Sequence, residues 1–419
     1  MLLSSHGVTK DVDPKLCVTC KGRLFCGLQT CPILDRVTTI KRVEECIDKN
    51  HFEGPSPPSV FIGKAGYPNV SAGPMNTPIR EGDPSILDDP TQWYGLPREE
   101  IIGYRESLVR SSTKAGVNQA ANPDSFITDL QDLAMSKRFV DLEVEFYGRP
   151  KFTLSVGENS PPIGPTARLK NMELTESPSI PKQIEKVTSD TDLLAKEAIS
   201  FLYGKGFDVH RLSNVLSTGA LGVKSNRKLV PTRWSITAID SMLSQELIDE
   251  VKQFPLISDY LVFHSKYLDN NFYVILLPMT WAFEQLEAWS PGSIWYPGEE
   301  TVVIKDAEFG KNRKTYASNV SGAYYACRLA VTEYLKTEKK QAGALIWREI
   351  GKGYDIPLGV WQCRENVRHA LMEKPMRFSS KELMWKHLSQ GLEIPLETWG
   401  KNSDVLRFFK EQRRLFEYF

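Results

Sequence analysis

The sequence predicts an α+β (mixed α/β) core with a small four-cysteine module at one end and a short peptide motif at the other. Three observations carry this prediction. Hairpin-like and helical runs alternate through the last third of the chain. Residues 140–146 alternate apolar and acidic side chains, the period of a strand with one wet face. Four of the seven cysteines fall between positions 17 and 31. The divisions expected from these signals are 1–50 for the cysteine module, 51–240 and 241–405 for two parts of the core, and 406–419 for the tail.

Composition bounds the function classes. With 419 residues, 41% of them apolar and 25% charged, the chain is long enough for two or three domains with sizeable cores. The 52 basic and 52 acidic residues cancel, which excludes a polyanion-wrapping protein of the histone kind but leaves room for a local basic groove. No apolar run is long enough to cross a bilayer and no secretory leader precedes the cysteines, so the expectation is a cytoplasmic protein with no membrane partner.

The first element is Cys17-Val-Thr-Cys20-Lys-Gly-Arg-Leu-Phe-Cys26-Gly-Leu-Gln-Thr-Cys31, a C-x2-C-x5-C-x4-C spacing. Two thiolates separated by two residues grip one ion from a tight turn, and two more complete a tetrahedron. That set is closed, so it suits structural zinc and leaves no position for catalysis. An iron–sulfur cluster uses the same four thiolates and is the competing reading. Cys46, on the helical segment that follows, is expected to be a packed thiol and not a fifth ligand.

Residues 53–98 are dense in Gly and Pro and read as a fixed loop around a short buried strand, Val-Phe-Ile-Gly. Lys64, between Gly63 and Gly66, suits a phosphate, although the segment lacks the G-x-x-x-x-G-K-[ST] pattern. A helix is expected over REEIIGYRESLVRSS, with Arg105 and Arg110 near one another. A strand follows in which Asp141, Glu143 and Glu145 share a face. Three carboxylates so placed suit either a Mg²⁺ nuclease site or simply the wet side of a sheet. Residues 157–183 read as a surface loop.

The densest polar stretch is DVHRLSNVLSTGALGVKSNRKLVPTRWSITAID, residues 208–240. A short helix capped by Ser213 or Asn214 and ended by Gly219 or Gly222 is expected there. His210, Arg211, Ser213, Lys224, Arg227, Lys228 and Arg233 surround Trp234 with cations and hydroxyls, a set suited to a phosphate backbone and a stacked base. Buried structural arginines are the alternative. No nucleophile–base motif appears in the chain, and its six histidines are dispersed. Beyond 240, LVFHSKYLDNNFYVILLPM predicts a hairpin turning at Asp269-Asn270-Asn271. SGAYYACRLAVTEYLKTEKK predicts an amphipathic helix, ALIWREI a strand and LGVWQCRENVRHALM a helix.

The tail reads SDVLRFFKEQRRLFEYF. At helical spacing Gln412, Leu415, Tyr418 and Phe419 share one side while Arg413, Arg414 and Glu417 face away, which suits an anchor in a partner's apolar groove. The competing expectation is that these aromatics fold back on the chain's own core, as Phe408 and Phe409 are placed to do. The pattern Q-x-x-L-x-x-Y-F resembles the motif by which replication and repair proteins dock on the sliding clamp, PCNA, and all its defining positions match.

Together the four cysteines, the phrases SPPSVFIGKAGYPNVSAGP and RKLVPTRWSITAID, and this tail make the chain resemble the archaeal NreA family over essentially its whole length. The resemblance implies an archaeal cytoplasmic DNA repair protein that binds PCNA and works at DNA; it implies no particular reaction. Two functions therefore stand from the sequence. One is a clamp-tethered repair factor contacting DNA through the zinc module and the basic stretch. The other is a DNA-processing enzyme, either a nuclease using the carboxylates at 141–145 or an ADP-ribosyltransferase-like enzyme built around His210, Arg211 and Ser213.

Overall fold

The chain divides between Ile239 and Asp240 into two units, each built on its own six-stranded sheet. The structure is a computed structural model and describes residues 23, 39, 41–47, 50–151, 163–291, 301–311, 313–354 and 357–411.

The first sheet comprises β1 (His51–Ser56), β2 (Val60–Ile62), β3 (Asn69–Asn76), β4 (Val109–Gly116), β5 (Val140–Phe146) and β6 (Thr166–Leu174), in the order β1-β5-β6-β4-β3-β2. Only β4 and β6 run parallel. The short strand expected within the Gly/Pro-rich region is β2, and the same region supplies two further strands, β1 and β3, while the expected surface loop at 157–183 contains β6. Sequence patterning missed β1, β3 and β6 because glycine and proline dilute the alternation, and neither residue is barred from an edge strand or a bulge. Helix α1 (Arg98–Ser107) follows the Gly/Pro region. Helix α2 (Ser125–Met135) is capped by Asp124, whose carboxylate accepts a 2.9 Å hydrogen bond from the Ile127 amide. Its apolar stripe, Ile127, Leu130 and Leu133, is fully buried in the same core as Val70, Val109, Leu142 and Val144 of the sheet. Val43 and Ile47 join that core, whereas Cys46 between them is exposed and not packed as expected, because helical spacing turns it away from the buried pair.

Helices α3 (Lys182–Ser189), α4 (Ala195–Gly204) and α5 (Val209–Ser217) follow. Asp208, not Ser213 or Asn214, caps α5 by accepting from the His210 and Arg211 amides at 2.9 Å each. Gly219 adopts φ +69° just past the end of α5, and a Cβ there would lie 2.5 Å from the Lys228 carbonyl oxygen, so both the conformation and the space require glycine. Helix α6 (Thr232–Val251) contains the boundary between the units.

The second sheet holds β7 (Tyr260–Tyr267), β8 (Asn270–Leu277), β9 (Ala282–Trp289), β10 (Val303–Phe309), β11 (Gly343–Ile350) and β12 (Met376–Phe378), in the order β10-β9-β11-β8-β7-β12. Helices α7 (Gly322–Glu338) and α8 (Trp361–Met372) share one apolar core with Phe263, Val274 and Ile346. Helices α9 (Lys381–Gly391), α10 (Leu396–Asn402) and α11 (Asp404–Glu411) share another with Val262, Ile275 and Leu345. Alternate residues of each strand feed opposite cores, so every residue of β8 and β11 is buried. The predicted amphipathic helix exists as α7, but all of Gly322–Thr332 is buried: its polar side chains meet partners inside the unit. The hairpin turns at Leu268-Asp269, with φ +51° and +53°, so Asn270 and Asn271 are buried strand residues and not the turn.

Phe408 and Phe409 do fold back: they meet Phe309 at 5.1 Å and Tyr260 at 6.2 Å between ring centroids. Among the described residues no helix is long and apolar enough to cross a membrane.

Candidate nucleic-acid interface

The two phrases that carry the family resemblance meet in space. Strand β2 is an edge of the first sheet, and the Thr232 hydroxyl accepts a 3.0 Å hydrogen bond from the Ile62 amide on that edge. A bare strand edge invites unwanted pairing, and the start of α6 covers this one. One consequence is that Trp234, in the first turn of α6, stands against Tyr67 of the β2–β3 turn. Their rings are 5.3 Å apart and tilted by 48°, and each residue is 46% exposed.

A paired Tyr and Trp are large apolar rings, ordinarily buried or covered; tilted against each other in solvent they form an exposed aromatic surface. Cations flank it. Lys64 is exposed in the same turn, Arg233 is exposed beside Trp234, and the Lys114 ammonium lies 3.6 Å from where a Cβ on Gly66 would project. Gly66 itself has φ +84°, and its missing side chain leaves room for the Asn69 carbonyl oxygen, so the turn that presents Tyr67 depends on it. Aromatic faces framed by Lys and Arg are the chemistry of single-stranded nucleic-acid binding: rings stack on bases, cations track phosphates.

The residues predicted for nucleic-acid contact separate into two groups. Lys224, Lys228 and Arg233 are exposed. Arg211, Arg227 and Ser213 are engaged within the fold. The Arg211 guanidinium donates to the Met135 and Ser136 carbonyls, tying α5 to the end of α2, and burial pulls its pKa below the usual arginine value. Arg227 donates to the carbonyls of Gly222 and Thr188 at 2.8 Å and Asp190 at 3.1 Å, fastening the loop before α6, with a similar downward shift from burial. Ser213 is buried and donates to the Val209 carbonyl of its own helix at 2.7 Å. His210 is half-buried in the first turn of α5. For these three the structural alternative describes the observed bonds: helix ends and loops leave carbonyls without partners, and arginine forks satisfy several at once.

The carboxylates of β5 do share a face, and each has a side-chain partner: Asp141 with Arg80 at 3.3 Å, Glu143 with the His51 ring at 2.6 Å and Glu145 with Lys170 at 2.7 Å. Among the described residues no group of three or more His, Cys, Asp or Glu side chains is placed to hold a metal ion. The cysteine set Cys17, Cys20, Cys26 and Cys31 and the tail residues Gln412, Leu415, Tyr418 and Phe419 lie outside the described residues.

Tyr67 was not legible as a partner of Trp234, since 167 positions separate them and the turn carries no motif beyond its glycines. Lys64 gave a weak signal through the glycines around it.

The chain matches the family model described as "Archaeal Nre, N-terminal" over residues 25–296 and that described as "Archaeal Nre, C-terminal" over residues 308–418. It is 38% identical over 366 residues to DNA repair protein NreB of Archaeoglobus fulgidus, covering 87% of this chain and 90% of that protein. DNA repair protein NreA of the same organism is 38% identical over 364 residues, with the same coverage of both chains. DNA repair protein NreA of Haloferax volcanii is 37% identical over 346 residues, 81% of this chain and 82% of that one. No solved structure matches significantly. Matches spanning both parts of the chain, to relatives aligned over most of their own length, mean that this protein belongs to the archaeal Nre family.

Proposed function

We propose that this protein is a DNA repair factor of the archaeal cytoplasm that stacks exposed bases on Tyr67 and Trp234 and docks on the sliding clamp PCNA through Gln412, Leu415, Tyr418 and Phe419. The observation that carries the DNA contact is the convergence of the two family phrases into one exposed aromatic pair flanked by Lys64, Lys114 and Arg233. The names of its relatives as DNA repair proteins support the role. The clamp contact draws its support from the match of every defining position of the tail motif, and structural zinc on Cys17, Cys20, Cys26 and Cys31 from their spacing. Tethering to a ring that encircles DNA raises the local concentration of duplex, so modest base contacts suffice.

The enzymatic alternative has less support. The β5 carboxylates each already bond to a neighbouring side chain, and Arg211 and Ser213 already bond to backbone carbonyls.

The test is fluorescence anisotropy with a single-stranded oligonucleotide. Trp234→Ala should weaken binding about 5- to 150-fold, since a stacked base is worth roughly 1–3 kcal/mol, with an unchanged melting temperature. Arg233→Ala should lower the salt slope by about one phosphate contact. Wild-type affinity in Trp234→Ala would overturn the DNA assignment. Deleting Gln412–Phe419 should abolish clamp pull-down while zinc content, about one ion per chain, persists; unfolding of the truncated protein would sink the clamp assignment instead.

A further inference from the structure

Strands β4 and β6, the parallel pair of the first sheet, separate partway along their length. Arg110 lies beside Thr166, Ser111 beside Ala167 and Ser112 beside Arg168, and there the pairing ends. Beyond that point β4 stays paired only with β3, as far as Gly116, and β6 only with β5. An irregularity on β6 coincides with the split. Asn171 stands opposite Glu145 and Leu169 opposite Phe146, which leaves Lys170 as an extra residue, and such a bulge re-aims the side chains around it. The start of α2 lies across the gap, and the three segments line a cavity of about 260 Å³.

The cavity has two kinds of wall. Ala115, Leu169 and Met172 are buried and, with the half-buried Phe126, make an apolar floor. Lys114, Asp129, Lys170 and Asn171 supply polar groups. Lys170 is held by Glu145 at 2.7 Å. The side chains of Lys114, Asp129 and Asn171 make no hydrogen bond or ion pair among the described residues. Burial first, then the like charges of Asp132 and Glu173, push the Asp129 carboxyl up. A carboxylate so placed gains from any donor that a ligand brings.

Size, chemistry and place define the ligand. The volume falls just below the roughly 300–1,000 Å³ of drug-sized sites, which leaves room for one base with its sugar and not for several. The apolar floor suits a flat ring. An ionised carboxylate only accepts hydrogen bonds, so it selects rings that present N–H donors. Adenine, cytosine and guanine carry an amino group on the pairing edge, whereas thymine sets two carbonyl oxygens about its one N–H. Place supplies the connection to the strand. The Lys114 ammonium is also the group 3.6 Å from where a Cβ on Gly66 would project, and Gly66 adjoins Tyr67. One cation therefore serves both the cavity and the aromatic pair.

We propose that this cavity receives one unstacked nucleotide of a bound single strand, with Lys114 on its phosphate, the base over Phe126 and the base amino group donating to Asp129. The inference rests on the nucleic-acid reading above for the strand itself. It adds a base preference that stacking on Tyr67 and Trp234 does not give, because every base has a face to stack. A base in a single strand is also the least costly to unstack.

The experiment uses fluorescence anisotropy with the full-length protein and strands of about twelve nucleotides, one all thymine and three with a single central adenine, cytosine or guanine. An amino-bearing base should tighten binding about tenfold over thymine, the worth of one hydrogen bond to a charged acceptor. Asp129→Asn, whose amide offers thymine a donor as well as an acceptor, should make the four affinities equal. It should not lower the melting temperature, since it removes a like charge. Trp234→Ala should weaken all four strands alike and leave the preference intact. Equal affinities in the wild type overturn the cavity assignment, whatever Trp234→Ala does. A preference that persists in Asp129→Asn also overturns it, because the base is then read elsewhere. If no strand binds, the stacking assignment falls by itself and the four free deoxynucleoside monophosphates decide for the cavity. Tighter binding of an amino-bearing one than of thymidine monophosphate, lost in Asp129→Asn, upholds it; equal binding or none overturns it.

Discussion

Strands β5 and β9 both carry acidic side chains, and they use them in opposite ways. On β5 the acids lie on the solvent side, and each is met by a basic side chain on a neighbouring strand or loop. On β9, Glu284 and Glu287 are 0% and 4% exposed. Glu287 meets Arg348 at 3.0 Å, and Arg348 also donates to Asn270 at 2.6 and 2.8 Å. Glu284 accepts from the Ser403 hydroxyl and from the Asp404 and Val405 amides, so it holds the start of α11. The difference lies in coverage. One face of β5 is wet, whereas the second sheet has helical cores on both faces, and every charge inside must find a complete set of partners. Surface acids tune solubility; interior acids specify which helix end or arginine goes where.

Three measurements would break or sharpen that contrast. The largest effect is expected at Arg364, which is 1% exposed and donates to both oxygens of Asp240, at 3.1 and 2.6 Å. Arg364→Ala leaves a buried carboxylate without its fork and should destabilise the protein by about 3–5 kcal/mol in denaturant unfolding. A loss below about 1 kcal/mol would mean that water reaches Asp240.

The second effect is a pH dependence at Glu284. Burial pushes this carboxyl above its ordinary value, and the bonds from Ser403, Asp404 and Val405 only partly offset the shift. The folded state therefore takes up this proton at a higher pH than the unfolded chain does. The resulting stabilisation is complete below the unfolded pKa of about 4.3 and is lost as pH rises through the folded value. Lowering pH from 7 to 5 should thus raise wild-type stability relative to Glu284→Gln. Parallel pH profiles for the two proteins would remove Glu284 from the interior network.

The smallest effect belongs to the wet face. Glu143 and His51 are both nearly half exposed, so solvent screens their pair, and Glu143→Ala should cost under about 1 kcal/mol. Equal losses at Glu143 and Arg364 would erase the distinction between the sheets.

Legibility in the sequence followed the same divide. The strand at 140–146 was readable because its two faces differ, and β11 because Ala344–Trp347 form an unbroken apolar run. Strands β1 and β3 were not, since Gly54, Pro55, Gly73 and Pro74 interrupt them. The basic stretch before α6 was readable as chemistry, but not which members were free. Arg227 and Arg233 look alike in sequence, yet Arg227 closes a loop on three carbonyls while Arg233 stands in solvent.

By itself the sequence determined the mixed architecture, the family and the tail and cysteine patterns, because each depends on residues close together in the chain. Only the tertiary structure decided that Trp234 meets Tyr67, that the Arg110 guanidinium lies over the Phe61 ring, and that β9 buries its acids. Those outcomes depend on which surfaces are covered and which distant side chains share a recess. Burial sets the energy of a charge, and no local pattern reports burial.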